Sequence, residues 1–308
     1  MKHKPLNEQV IVITGASSGI GLCTALLAAE RGAQVVLLAR SGQMLDEIVQ
    51  AIAVEGGRAH AMTVDVSDRE ALQRTLIEIL TLHGRIDTWV NNAGVAIYGK
   101  LDQVTEADSK RLFEINFWGV VNGSLLAMPA LQSAQGTLIN VGSEVSEAVV
   151  PLQGMYSASK HAVKGFTDAL RVEYEHVDEA PVSIVLIQPT AVNTPYPQHA
   201  RNYLPSEPKL PSPLIDPHRV AEAILEAAVE GGRNIKVGAM AHLNTATSNV
   251  LPALADRMSA LQAKRQQHDQ APRDPDGTLF KAGHSGRVYG VSKDGEILET
   301  TADPRSQG

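Results

Sequence analysis

The chain has 308 residues, and 44% of them are hydrophobic, which is enough to build the core of one large α/β domain or of two small ones. Its 27 basic and 34 acidic residues give a net charge of −7, which argues against a nucleic-acid-binding surface. Cys23 is the single cysteine and cannot form an internal disulfide. No apolar run approaches the length of about 18 residues that a membrane-spanning helix needs. We therefore expect a cytoplasmic protein without a transmembrane segment.

A glycine-rich turn follows the first predicted strand, a short β-branched run at residues 10–13 of the kind that is buried on both faces of a sheet. The turn spaces its glycines as G-x-x-x-G-x-G and leads into an alanine- and leucine-rich helix. Such a turn lets the backbone approach a pyrophosphate, whose charge the helix N-terminus favours. We therefore predict a dinucleotide site, and the alternative is a glycine-rich turn without a ligand. The predicted ligands here are Gly15, Ser17, Ser18, Gly19, Ile20 and Gly21.

The second predicted strand, at residues 34–39, ends in Ala39-Arg40-Ser41 and carries no acidic residue at its end. A site that prefers NAD places a carboxylate there to bind the ribose 2′-hydroxyl. A guanidinium and a hydroxyl instead suit a 2′-phosphate. Arg40 and Ser41 therefore predict NADP(H) as the cofactor, with NAD(H) as the second choice. The alternative is an arginine that faces solvent.

Two further predicted strands, at residues 59–64 and 87–90, continue the alternation of strands and helices. We predict that Asp65 and Val66 contact the adenine, although Asp65 could instead cap the next helix. Small residues after the later strand would let the nucleotide lie against the sheet, and the predicted ligands are Asn92, Ala93 and Gly94. A helix beyond them carries Asn116 among apolar neighbours. A buried asparagine needs hydrogen-bond partners, so a structural role competes with a catalytic one.

Tyr156 and Lys160 lie four residues apart in a predicted helix, so their side chains project from one face. A phenol with a pKa of about 10 is a poor acid or base at neutral pH, and a nearby ammonium lowers that pKa. Ser143 follows an apolar run at residues 136–141, and its hydroxyl could hold a substrate oxygen against the phenol. These residues predict a proton-transfer site. Because Y-x-x-x-K is a common pattern, the alternative is an ordinary surface helix.

Predicted strands at residues 182–187 and 234–237 complete the alternation. The fold class is therefore α/β, a Rossmann-like, doubly wound parallel sheet of about seven strands with helices on both faces. Residues 193–217 hold seven prolines and form a long loop of the kind that often covers a binding site. We divide the chain into a dinucleotide-binding and catalytic domain at 1–237 and a C-terminal extension at 238–308.

Together these motifs resemble those of the short-chain dehydrogenase/reductase family, over roughly residues 10–237. The resemblance rests on T-G-A-S-S-G-I-G at 14–21, N-N-A-G at 91–94 and Y-S-A-S-K at 156–160, which occur in the family's order. Asn116 and Ser143 fall where the family carries its other two catalytic residues.

The resemblance implies a role for each of the four catalytic residues. Tyr156 would exchange a proton with the substrate oxygen, and Ser143 would hydrogen-bond that oxygen. Lys160 would lower the pKa of the phenol and would also bind the nicotinamide ribose. Asn116 would hold a water that connects Lys160 to solvent. No metal enters this scheme.

The resemblance also places Pro189, Val192 and Thr194 at the nicotinamide, where the last two would grip its carboxamide. The family usually has Pro-Gly at 189–190, whereas this chain has Thr190 after Pro189. A β-branched residue cannot easily adopt a positive φ, so we expect the backbone of Thr190 to have a negative one.

Three functions are compatible with these residues. The first is an NADP(H)-dependent oxidoreductase that acts on a small-molecule secondary alcohol or ketone, or on an aldehyde. The second is a non-catalytic nucleotide sensor or scaffold, which would be expected to lose Tyr156 or Lys160. The third is a nucleotide-sugar epimerase or dehydratase, whose glycine turn more often reads G-x-x-G-x-x-G. The family's members are usually oligomers, so we expect a homodimer or a homotetramer.

The C-terminal extension departs most from the family. Apolar residues recur at near-helical spacing over 238–261, and they predict core or subunit packing, with contact to a membrane surface as the alternative. Farther on, Asp294-Gly295 lies between two short apolar stretches, which is a hairpin signal. Our hypothesis is that residues after Gln266 form an arm that reinforces an oligomer, and the alternative is a disordered tail.

Overall fold

A computed structural model describes residues 3–292 and 296–298. Nine strands are present in this part of the chain, and seven of them form one sheet. The strands are β1 (Val10–Thr14), β2 (Gln34–Ala39), β3 (Arg58–Thr63), β4 (Thr88–Asn91), β5 (Ile97–Tyr98), β6 (Thr137–Val141), β7 (Ser183–Pro189), β8 (Arg201–Asn202) and β9 (Asn234–Val237). β5 and β8 pair with each other outside the main sheet.

The main sheet has the strand order β3-β2-β1-β4-β6-β7-β9, and every neighbouring pair is parallel. The predicted doubly wound sheet is therefore confirmed. The strand order reverses between β1 and β4, and ligands of such sheets bind at this switch point, beyond the carboxyl ends of the strands. The topology thus directs the search for a site to the turns that follow β1 and β4.

Helices connect the strands and cover both faces of the sheet. They are α1 (Gly19–Glu30), α2 (Gly42–Val54), α3 (Arg69–His83), α4 (Glu106–Phe113), α5 (Gly119–Ala134), α6 (Gly154–Arg171), α7 (Pro217–Glu230), α8 (Ala239–Val250) and α9 (Pro252–Gln262). Residues alternate between the two faces of each strand. Ile11 and Ile13 pack with α1, α2 and α7, whereas Val10 and Val12 pack with α3, α5 and α6. This burial on both sides explains why β1 is apolar throughout.

Helices α8 and α9 correct one prediction about the extension. Its apolar residues do not join the core, because large side chains on both helices are exposed, including Leu243, Val250, Leu254 and Leu261. Helix α9 buries none of its residues. The prediction of core packing was therefore wrong for these helices. Within the described residues, no helix combines the length and the apolar character needed to cross a bilayer.

The rest of the described extension folds back onto its own chain. Leu279 and Val288 are buried among residues of the main domain. Val291 forms an antiparallel bridge with Ile297, as the hairpin signal predicts, while the Asp294-Gly295 turn itself lies outside the described residues. The part of the tail that the structure describes therefore uses its own domain as the packing surface.

Candidate active site

A cavity of about 300 Å³ runs along the carboxyl ends of the parallel strands. It collects nearly all of the predicted site residues, the exceptions being Gly21 and Asn116. The predicted residues that line it are Gly15, Ser17, Ser18, Gly19, Ile20, Arg40, Ser41, Asp65, Val66, Asn92, Ala93, Gly94, Ser143, Tyr156, Lys160, Pro189, Val192 and Thr194. The cavity therefore joins the predicted cofactor residues and the predicted proton-transfer group in one space.

The glycine-rich turn packs so closely against its neighbours that side chains are excluded. Gly15 has φ +66°, and a Cβ there would lie 2.7 Å from the Cα of Ala93. Gly19 has φ +56°, and a Cβ there would lie 3.2 Å from the Cβ of Thr194. The turn ends in the N-terminus of α1, where the Ser18 side chain makes no capping hydrogen bond. Apart from the amide of Gly19, which donates to the carbonyl of Arg287 at 2.8 Å, this narrow, glycine-lined helix N-terminus fits a pyrophosphate.

Asn92 fastens this turn to the neighbouring strand. Its Nδ2 donates to the carbonyl oxygens of Thr14 at 3.0 Å and of Gly15 at 3.2 Å. Asn91, by contrast, is buried and donates to Asn140 Oδ1 at 2.8 Å, so it belongs to the core beneath the cavity. Asn92 thus stabilises the cavity floor, whereas Asn91 stabilises the core beneath it.

Asp65 does not cap α3, because the N-cap of that helix is Asp68, whose side chain accepts from the amide of Ala71. Asp65 instead stabilises the turn before α3 by accepting hydrogen bonds from the backbone and the hydroxyl of Ser67, and it lines the cavity, while its contact with adenine stays a prediction. The guanidinium of Arg111 forms an ion pair with the same carboxylate. Burial acts to raise the pKa of Asp65, but the hydrogen bonds from Ser67 and the contact with Arg111 outweigh it, and the pKa is lowered overall. The carboxylate of Asp65 is therefore ionised at the cavity wall.

Tyr156 and Lys160 enter the other end of the cavity from the first turns of α6. Lys160 Nζ lies 5.7 Å from the centroid of the Tyr156 ring and donates to the carbonyl oxygen of Val141 at 2.8 Å. Ser143 stands at the N-cap of a short helical turn after β6, where its hydroxyl accepts from the amide of Val145. The predicted proton-transfer residues therefore converge.

Burial controls the ionisation of this pair. It raises the pKa of Tyr156 to about 12, although interactions with Tyr196 and Ser143 pull it down. Burial also lowers the pKa of Lys160 to about 8. The raised pKa of Tyr156 is a net value dominated by burial, because desolvation disfavours the phenolate. That Lys160 lowers the pKa of the phenol stays a prediction.

Asn116 lies at the centre of a π-helical turn, residues 114–118, between α4 and α5. Its Oδ1 accepts from the amide of Val95 at 2.8 Å, and its Nδ2 donates to the carbonyl of Val95 and to Ser159 Oγ. The side chain therefore ties α5 and α6 to the strand end, which is the structural role foreseen as an alternative. That Asn116 also holds a water for Lys160 stays a prediction. Single π-helical turns are frequent at functional sites.

Thr190 replaces the family's usual glycine without strain. The described non-glycine residues with positive φ are Gln135, Leu152 and Glu179, so Thr190 has the negative φ that was expected. Its side chain lies near the carboxyl group of Glu144 and acts to lower the pKa of that group, and Glu144 also accepts from Asn244 at 2.9 Å. Burial raises the pKa of Glu144. A carboxyl group with a raised pKa thus lies next to Ser143 in the cavity.

Sequence reasoning missed several residues of the cavity. The Tyr196 ring lies 5.3 Å from that of Tyr156 and edge-on to it, and Tyr196 comes from the proline-rich loop. His199 lines the cavity from the same loop, and burial together with the charges of Arg287 and Arg40 lowers its pKa to about 4. Helices α8 and α9 and residues 278–283 of the extension also contribute to the lining. The length of the loop was the available signal for Tyr196 and His199, whereas the extension gave none.

The family model described as "short chain dehydrogenase" matches residues 9–203. The chain is 39% identical over 298 residues to a protein of Bacillus subtilis named "Uncharacterized oxidoreductase YxnA", and the match covers 95% of this chain and 83% of that protein. Since so little of this chain is left out, the similarity extends into the C-terminal extension.

Solved structures show the same fold. An alcohol dehydrogenase from Thermococcus sibiricus, complexed with 5-hydroxy-NADP, superimposes with a TM-score of 0.64 at 26% identity, over 74% of this chain and 94% of that one. A gluconate 5-dehydrogenase from Burkholderia cenocepacia, in complex with NADP and tartrate, gives a TM-score of 0.67 at 22% identity, over 77% and 96%. The chain belongs to the short-chain dehydrogenase family and is an NAD(P)-dependent dehydrogenase/reductase with a Rossmann-like fold.

Proposed function

We propose that the protein transfers a hydride between NADP(H) and a small-molecule secondary alcohol or ketone, or an aldehyde. The observation that carries the proposal is the convergence of Ser143, Tyr156 and Lys160 at the end of a cavity whose other end holds Arg40. The nicotinamide supplies the hydride chemistry. The protein's task is to orient the substrate oxygen and to move one proton to or from it.

Tyr156 is the group that moves this proton. Its hydroxyl lies in the cavity, and the phenol is protonated at neutral pH because burial raises its pKa to about 12. It can therefore donate to the oxygen of a carbonyl that is being reduced, while the Ser143 hydroxyl donates a hydrogen bond to the same oxygen. Lys160, with a pKa lowered to about 8, can give and take protons near neutral pH and so restore the phenol.

The residues that would hold NADP(H) lie in order along the cavity. The turn between Gly15 and Gly19 would bind the pyrophosphate, and Arg40 with Ser41 would bind the 2′-phosphate. Arg40 Nη2 donates to the carbonyl oxygen of Thr278 at 2.6 Å, which orients the guanidinium and leaves further N–H groups for a phosphate. The NADP complexes of the two structural neighbours support this choice of cofactor.

A location in the cytoplasm, which is a reducing compartment, and the oligomeric state are also part of the proposal. Cys23 is buried, and its thiol has a pKa raised to about 12, so it lacks the reactivity of a redox cysteine. This is in keeping with a cytoplasmic enzyme. We place the protein in a homodimer or homotetramer, as is usual for its family.

Absorbance at the reduced nicotinamide band tests the function. We expect net oxidation of NADPH with members of a panel of ketones and aldehydes, net reduction of NADP⁺ with the corresponding alcohols, and slower turnover with NADH. Nucleotide binding without net turnover on any compound would favour the sensor or the epimerase instead. Equal rates with NADH and NADPH would leave the oxidoreductase standing but remove the NADP preference.

A further inference from the structure

Residues 277–291 of the extension, here called the C-terminal strap, follow the cofactor cavity along its length. The strap begins at the proline-rich loop, where the amide of Thr278 donates to the carbonyl of His199 at 2.8 Å. At its middle, the amide of Gly19 in the glycine-rich turn donates to the carbonyl of Arg287 at 2.8 Å. At its end, Asn193 accepts from the amide of Val291 at 3.0 Å. The strap therefore touches the cavity at its adenosine end, its glycine turn and its nicotinamide end.

The strap is fixed in place by its own buried side chains. Leu279 is fully buried in a cluster with residues of α4 and of the strand ends, and Val288 is buried against the α1 side of the sheet. Gly286 lies so close to Met44 on α2 that a Cβ would come within 2.5 Å of its sulfur. The segment between these anchors thus has a defined path past the end of β2.

At the end of β2 the strap contacts both predicted 2′-phosphate residues. The carbonyl oxygens of Thr278 and Leu279 accept from the two terminal nitrogens of Arg40 at 2.6 and 3.3 Å. A ring nitrogen of His284, Nδ1, lies 3.1 Å from Ser41 Oγ. Thus Arg40 is oriented by the strap backbone, and Ser41 is paired with a strap side chain.

The chemistry of this corner suits a phosphate. The Arg40 guanidinium, the Ser41 hydroxyl and the His284 imidazole supply hydrogen-bond donors within one small region, and Arg40 and Ser41 line the cavity. The nearby carboxylate of Asp65 is held by Arg111 and Ser67. The imidazole itself is exposed, and the preceding residue, Gly283, lines the cavity, so the ring can turn toward an incoming anion.

We propose that the strap completes the cofactor site and that His284 is a third ligand of the 2′-phosphate of NADP(H), beside Arg40 and Ser41. The inference rests on the NADP(H) part of the proposed function. A phosphate bound to the Ser41 hydroxyl lies within reach of a ring nitrogen that already contacts this hydroxyl. His284 would then help to decide between NADP(H) and NAD(H).

Titrations of the full chain with two pairs of nucleotides test this role. NADP⁺ differs from NAD⁺, and adenosine 2′,5′-bisphosphate differs from 5′-AMP, only in the 2′-phosphate. A hydrogen bond to a charged group is worth about a tenfold change in affinity or more. We expect His284→Ala to weaken the affinity for NADP⁺ and the bisphosphate about tenfold, and to leave the affinities for NAD⁺ and 5′-AMP within about twofold.

Two variants frame the measurement. Lys281→Ala removes an exposed cation of the same strap, paired with Asp274, and we expect it to change none of the four affinities. Arg40→Ala should show the same selective loss as His284→Ala. If His284→Ala keeps the wild-type ratio of bisphosphate to 5′-AMP affinity, the proposal is overturned.

A measurement on the unmodified protein covers the case of a variant that fails to fold. Hydrogen exchange of the amides in 278–287 should slow more with the bisphosphate than with 5′-AMP, and equal protection would overturn the proposal. A wild-type protein that binds both fragments equally also overturns it. That outcome leaves the oxidoreductase intact if turnover with NADH is seen, so the two failures can be told apart.

Discussion

Tyr156 and Lys160 share a buried environment that shifts the pKa of each group toward its neutral form. The protonated phenol of Tyr156 can donate a proton, and Lys160, with a pKa near 8, can replace that proton. The Y-x-x-x-K spacing predicts the shared helix face, because the helical period alone sets it. The pKa values could not be predicted in the same way, since they depend on how deeply the fold buries both groups.

The first prediction concerns the proton donor. Tyr156→Phe keeps the ring that packs edge-on against Tyr196 but removes the hydroxyl that exchanges a proton with the substrate. We expect turnover to fall by about 10²–10⁴-fold, the usual size of a general acid–base contribution, while nucleotide affinity is retained. Steady-state kinetics and a nucleotide titration measure the two effects. Tyr174→Phe, on the same helical segment but outside the cavity, is the matched control, and a Tyr156 variant with near wild-type turnover would refute the assignment.

The second prediction concerns stability and pH. In the folded protein the pKa of Lys160 is lowered to about 8 from its ordinary value of 10.5, so burying the charged form opposes folding at pH 7. One pKa unit corresponds to about 1.4 kcal/mol. Part of the gain from removing the charge is lost with the hydrogen bond to Val141. We therefore expect Lys160→Met to raise the free energy of unfolding at pH 7 by about 1 to 3 kcal/mol.

The sign of the pH dependence follows from the two states. Below pH 8 the lysine is charged in both states, and above 10.5 it is neutral in both. Between these values the unfolded chain binds more protons, so wild-type stability rises with pH. The advantage of Lys160→Met over wild type should therefore shrink from pH 7 to pH 9.5 in urea unfolding without nucleotide. An advantage that stays constant would contradict the buried charge, and Lys164→Met, whose ammonium pairs with Asp168, is the control.

Among the elements, the parallel strands and their helices could be predicted because long apolar runs and glycine turns are local signals. The path of the strap could not be predicted, because the partners of its buried residues are distant in sequence. Leu279, for example, joins a core cluster with Val66, Ile97 and Leu112, which lie more than a hundred residues earlier. For α8 and α9 the apolar periodicity predicted core packing wrongly, because an apolar stripe on a helix does not show which surface covers it.

The third prediction concerns the two loops that follow β7 and β9. Gly238 has φ +99°, and a Cβ there would lie 2.7 Å from Cγ2 of Thr190. Gly238→Ala should therefore cost about 2 to 4 kcal/mol of unfolding free energy, from backbone strain and from the clash. Thr190→Ser removes Cγ2 but keeps the hydroxyl near Glu144. In that background we expect Gly238→Ala to cost at least about 1 kcal/mol less.

A double-mutant cycle by urea unfolding measures this coupling. Gly56→Ala is the matched control, because Gly56 also has a positive φ, +79°, but a Cβ there would meet nothing within 4 Å. It should lose stability by the same amount with Thr190 or with serine at that position. Equal costs of Gly238→Ala in both backgrounds would show that Thr190 and Gly238 do not press on each other.

For the whole molecule, the division into a domain at 1–237 and an extension at 238–308 is a statement about sequence rather than about packing. The strap packs against the domain at 1–237. Helices α8 and α9 line the substrate end of the cavity in that domain. The hypothesis that residues after Gln266 form an arm that reinforces an oligomer stays a prediction. Subunit packing of the exposed apolar residues of α8 and α9 likewise stays a prediction. Because the strap packs into the core of the main domain, we expect the whole chain to unfold in one cooperative transition.

The last prediction tests this unity. Leu279 has 0% of its side chain exposed, and it packs against residues of the main domain that include Val66, Ile97 and Leu112. Leu279→Ala should lower the unfolding free energy of the entire protein by about 2 to 5 kcal/mol, because it opens a cavity at this junction. Far-UV circular dichroism and tryptophan fluorescence, to which the buried Trp89 contributes, should report one transition that moves as a whole. Phe280→Ala, at the exposed neighbouring side chain, should change little. If the transition seen by fluorescence stays in place, the extension is an independent arm, and a fall in mass by light scattering would assign that arm to an oligomer interface.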